Sequence, residues 1–145
     1  MLPLTSVKDH ELKNERDRDI YLTYLFGLRE GIFDDLNDAA LWVQRQPAPK
    51  FYVSAKSLVN YIAARQAGKD LSRMYYWNRL KMEYLYSMYL HEADGRSCKI
   101  AKEILCEELV ERPAPYFYIS VNYVRKIIQR ECKKGRDKIL NKYCK

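Results

Sequence analysis

Glycine and proline are scarce, five of each in 145 residues, which argues against a loop-rich β-sandwich built on frequent tight turns. Histidine is scarcer still, since His10 and His91 stand alone. With no Gly-rich phosphate loop, nucleophile elbow or HExxH, the chain offers no catalytic constellation and reads as a non-enzyme. The four cysteines, Cys98, Cys106, Cys132 and Cys144, show no CxxC spacing. Zinc ligands usually come in close pairs, so no metal or other cofactor is expected. The thiols read instead as reduced side chains of a cytoplasmic protein. No run reaches transmembrane length, and the opening MLPLTSVKDHELKNERDRD lacks an apolar signal core, so no membrane partner is expected.

Hydrophobic residues make up 48% of the chain and charged residues 31%, a globular composition. The net charge of +7 is unevenly placed. Residues 1–120 hold seventeen basic and seventeen acidic side chains, whereas residues 121–145 hold nine basic ones against Glu131 and Asp137. The whole excess therefore sits at the C-terminal end. Such a patch favours phosphate backbones or anionic membrane surfaces, and its plainer role is a solubilising tail.

The octapeptide PAPKFYVS at residues 47–54 returns 66 positions later as PAPYFYIS at residues 113–120, with six of eight positions identical. A repeat at one fixed offset points to internal duplication. Leu58, Tyr61 and Ile62 correspond to Val124, Ile127 and Ile128 at the same offset. Tyr21, Tyr24 and Leu25 correspond to Tyr86, Tyr89 and Leu90 at an offset of 65. The duplication predicts two tandem units, residues 1–70 and 71–145, each with three helices and a connector before the third. The fold class is all-α, two helix-turn-helix-like units packed into one globular domain.

Helical spacing of Ile20, Tyr24, Leu25, Leu28 and Phe33 predicts a first helix, preceded by a polar segment that is at most loosely helical. Gly27 and Gly31 lie on it, a cost that close packing would offset. Asp34, Asp35 and Asn37 supply caps for a second helix through Ala39, Trp42 and Val43, which Pro47 and Pro49 terminate. The same acids with Asp38 complement the helix dipole more simply than they make a metal site. Ser54 caps a third helix that stops near Gly68. In the second unit, an aromatic helix from Ser72 to about residue 92 carries Tyr75, Tyr76, Trp77, Tyr84, Tyr86 and Tyr89. Because these circle the helix, core packing is favoured over a base-stacking platform. Asp94 and Gly95 mark a turn, Ser97 caps a helix bearing Ile100, Ala101, Ile104, Leu105 and Leu109, and Lys134, Gly135 and Arg136 break the last helix.

A third helix braced by the second is the arrangement that places a recognition helix in the major groove. In the second unit, Asn122, Arg125, Lys126, Gln129, Arg130 and Lys133 share the outward face, followed by Lys134 and Arg136; Lys56, Asn60 and Arg65 are the sparser counterparts in the first. Asn and Gln can pair with adenine and Arg with guanine, while Lys neutralises phosphate. The connectors are longer than the three or four residues usual for a helix-turn-helix. They serve either as packing devices, the favoured role, with Phe51 and Phe117 as anchors and Tyr52 and Tyr118 on the alternate face, or as exposed loops recognising a partner protein or an unstacked base. The PAPxFYVS-type segment resembles one in small uncharacterised proteins of phages and mobile elements, which implies a DNA-handling or virion-associated role. The expectation is a non-enzymatic nucleic-acid-binding protein, with DNA ahead of RNA as partner. The alternative is a helical protein–protein interaction or virion-assembly protein.

Overall fold

A computed structural model describes residues 4–93 and 99–143, with side chains described for residues 9–93 and 101–135. The chain forms six helices: α1 (Leu4–Arg29), α2 (Leu36–Gln44), α3 (Ala55–Gln66), α4 (Tyr76–Glu92), α5 (Lys99–Val110) and α6 (Val121–Tyr143). The described residues contain no strand, only one isolated bridge. The expected turn at Asp94 and Gly95, the cap at Ser97, and Cys98 and Cys144 lie outside them, as do the side chains of Ile100 and Arg136.

Polar residues start the helices where their side chains satisfy free amide donors. Asp35 accepts from the Asp38 amide at 2.8 Å, Ser54 from Ser57 at 3.1 Å, and Ser120 from Tyr123 at 3.2 Å. Gly68, at φ 72°, follows the end of α3. Three expected boundaries change. The polar N-terminal segment belongs to α1, because Leu12 and Ile20, two turns apart, bury one face along its length. The aromatic helix starts at Tyr76 rather than Ser72, the Ser72 amide being held by the Asp70 carboxylate at 2.9 Å. Gly135 does not break α6, which runs on to Tyr143; its cost of about 1 kcal/mol is outweighed by the burial of Val124, Ile127 and Ile128 on the same helix.

One core spans both repeats, and the way they share it departs from two side-by-side units. Helix α2 packs on α6, and its counterpart α5 packs on α3; α6 also lies on α1, and α3 on α4. The third helix of each repeat thus completes the other repeat's pair. Leu58, Tyr61 and Ile62 are buried, as are Val124, Ile127 and Ile128, so the paired apolar stripes occupy matching environments. Within a repeat, α2 and α3 are not a major packing pair, so the bracing expected of a helix-turn-helix is made between repeats instead.

The connectors bring about this exchange. Ala48 and Ala114 pair antiparallel, each amide donating to the other's carbonyl at 2.9 Å. Tyr52 and Tyr118 both adopt φ 56°, a left-handed conformation uncommon for bulky residues. Each turn throws its ring onto the opposite connector: Phe51 stacks on Tyr118 at 6.3 Å, and Tyr52 on Phe117 at 6.2 Å. The Gln44 amide also donates to the Ile119 carbonyl at 2.9 Å, tying α2 to the far connector. All four rings are buried. The anchoring role of the phenylalanines holds, but the tyrosines are enclosed as well and are not displayed to a partner.

Several expected core residues face solvent. Leu25, Leu28 and Ile104 are exposed, as are Tyr75, Tyr76 and Tyr84, whereas Tyr89 is buried. The close approach read at Gly27 is real. A Cβ there would lie 2.5 Å from Phe33 Cε1 and 2.7 Å from Trp42 Cζ3. Alanine's helix preference returns about 1 kcal/mol, while forcing such rings apart costs about 1–3 kcal/mol. Gly27→Ala is therefore expected to lower the urea midpoint without changing the slope; a raised midpoint would show that the rings yield freely.

Candidate nucleic-acid interface

Val124, Ile127 and Ile128 bury one side of α6, which leaves the opposite side to water. Asn122, Lys126, Gln129 and Lys133 form an exposed stripe there. Eleven rises of 1.5 Å between Asn122 and Lys133 give it a length of roughly 16 Å. Among the described residues no carboxylate pairs with Lys126 or Lys133.

The other cations named from sequence are partly engaged within the protein. Arg125 donates to Asn37 Oδ1 at 3.0 Å and to Asn122 Oδ1 at 3.3 Å, so it ties α6 to α2. Arg130 reaches the buried Asp17 carboxylate on α1 at 3.1 Å, and Arg16 holds the same group at 3.0 Å. Both arginines were expected wholly on the outward face; they instead flank it and staple the helix at its seams. Lys134 lies 3.4 Å from Glu131 and is well exposed. On α3, Lys56 is exposed, while Arg65 is clamped to Glu83 at 2.9 Å and sits over the Tyr86 ring. The α3 positions matching Gln129, Arg130 and Lys133 are Ala63, Ala64 and Ala67. The two third helices therefore share an apolar side and differ on the outer one.

A second feature was not read from the sequence. A cavity of about 630 Å³ lies where the repeats meet. Residues matched by the duplication line it in pairs: Lys13 with Asn78, Arg16 with Lys81, and Tyr52 with Tyr118. Both halves of the chain therefore contribute to its lining. Lys81 is only 7% exposed, and among the described residues no carboxylate forms an ion pair with it. Burial first and nearby Arg16 second lower its pKa to about 8, with Asp9 opposing both. Lys13 and Arg16 both lie over the Tyr123 ring, at 5.8 and 5.4 Å. The match of Arg16 with Lys81 at the offset of 65 was the available signal. It was hidden because charges in a helix are ordinarily assigned to the solvated side.

Among the described residues no group of three or more His, Cys, Asp or Glu side chains is arranged to hold a metal, and no helix is long and apolar enough to cross a membrane. Cys106 is buried, which pushes its thiol up to about 11, and Cys132 is half-buried. Comparison with protein-family models, curated proteins and solved structures finds no match to this chain.

Proposed function

We propose that the protein binds nucleic acid without catalysis, with the outer face of α6 lying along the phosphate backbone and duplex DNA as the leading partner. The observation that supports this reading is the stripe of Lys126 and Lys133, interleaved with Asn122 and Gln129 and free of carboxylates. Its roughly 16 Å covers four to five base steps at 3.4 Å each. Lysines neutralise phosphates, and the amide side chains are suited to base edges. Because Arg125 and Arg130 are engaged at the seams, about three phosphates are neutralised, by Lys126, Lys133 and Lys134.

The expected salt dependence follows from counterion release at about −0.9 per phosphate. Anisotropy titrations with a labelled duplex should give a slope of log affinity against log salt near −3. The double variant K126Q/K133Q should reduce that slope by about 2. A flat dependence, or an unchanged slope in the variant, would reject the interface.

A second reading rests on a different surface. Leu22, Phe26 and Leu28 on α1, Ile32 after it and Leu41 in the second half of α2 are exposed, and exposed apolar patches commonly mark protein interfaces. On that reading the protein is a helical assembly component. Phe26→Glu would then abolish a stoichiometric protein complex while leaving the salt slope untouched.

A further inference from the structure

We propose that the cavity between the two halves of the chain is a binding site for a small aromatic phosphomonoester of the mononucleotide class. Three cations converge there from two helices, Lys13 and Arg16 on α1 and Lys81 on α4, and Asp9 is the one carboxylate in the lining. Of the three, Arg16 has a carboxylate partner in Asp17, while Lys81 is buried and among the described residues no carboxylate forms an ion pair with it. A largely buried lysine is costly to charge unless it is paired, and two further cations over the Tyr123 ring add like-charge repulsion. A phosphomonoester dianion relieves both at once. Its charge also matches the excess of three cations over one carboxylate.

The rest of the lining fits the other end of such a ligand. Tyr52, Tyr118 and Tyr123 offer ring surfaces, and Met74 and Met82 offer adaptable apolar contact. The volume lies within the range of small-molecule sites, roughly 300–1,000 Å³. The stripe on α6 that faces water shares none of these residues, so the proposal does not depend on the nucleic-acid reading.

Calorimetric titration of the full chain with adenosine 5′-monophosphate tests it, with adenosine and inorganic phosphate as separate arms. The nucleotide is expected to bind and to raise the melting temperature, and each half-ligand to bind at least about tenfold more weakly. Loss of one charge-assisted contact accounts for a change of that order. Lys81→Met should cost the nucleotide at least tenfold while remaining folded by circular dichroism, and Lys13→Gln provides a second variant with the same expected direction. K126Q/K133Q should leave nucleotide binding intact. The proposal is overturned if the nucleotide fails to bind at millimolar concentration. It is equally overturned if adenosine or phosphate alone binds as tightly, or if both cavity variants bind like the parent.

Discussion

Phe117→Ala is expected to destabilise the whole chain by about 3–5 kcal/mol, the usual loss for truncating a fully buried phenylalanine, and Phe51→Ala by a similar amount. Each ring is at most 2% exposed and stacks on the tyrosine of the opposite connector. Truncation therefore loses apolar burial and also releases a tyrosine held at positive φ, a conformation that costs about 1–3 kcal/mol and persists only when its surroundings enforce it. Because α3 and α6 are exchanged between repeats, either variant should still unfold in a single urea transition. Two transitions, with the first half surviving Phe117→Ala, would contradict the exchanged packing. The double variant should depart from additivity by about 0.5–3 kcal/mol, since the four rings share one layer.

Lys81→Met should raise stability by about 3 kcal/mol at neutral pH. Burial lowers the folded-state pKa from 10.5 to about 8, and each unit corresponds to 1.36 kcal/mol. Between those values the unfolded chain keeps a proton that the folded chain has released, so stability climbs as pH rises from 8 towards 10.5, and the full penalty persists below 8. The opposite trend begins near pH 9. Burial pushes Cys106 from 9.0 up to about 11 and Tyr61 from 10.0 up to about 12, so these groups ionise first in the unfolded chain. The parent should thus be most stable near pH 9, by about 1 kcal/mol over pH 7, and Lys81→Met should lose that rise. A variant no more stable than the parent at pH 7, or one that keeps the parent's slope, would show that the ammonium is solvated after all.

Local features were readable wherever one residue type meets one backbone need. Asp35, Ser54 and Ser120 cap the helices expected of them, Gly27 marks a close contact, and the stripes around Leu58 and Val124 are buried. The exchange of third helices was not readable, for a physical reason. In a duplicated sequence, the apolar face of α2 fits the third helix of its own repeat or that of the other, because both present the same stripe. What decides between them is the path of the connector. That path depends on a left-handed tyrosine, a conformation no propensity scale would assign to Tyr52 or Tyr118. The basic face of α6 was legible because charge imbalance survives any packing. The cavity was not, because its cations belong to two helices that only the exchange brings together.

The swapped arrangement also has a consequence for biosynthesis. Roughly 75 residues separate the end of α2 from the start of α6, about 4–15 s of translation at 5–20 residues per second. Throughout that interval the nascent chain exposes the surface that α6 will cover, and no native partner for it yet exists. The emerging polypeptide is therefore a natural client for ribosome-associated chaperones, and loss of the last helix by premature termination would leave a product unable to close its own interior.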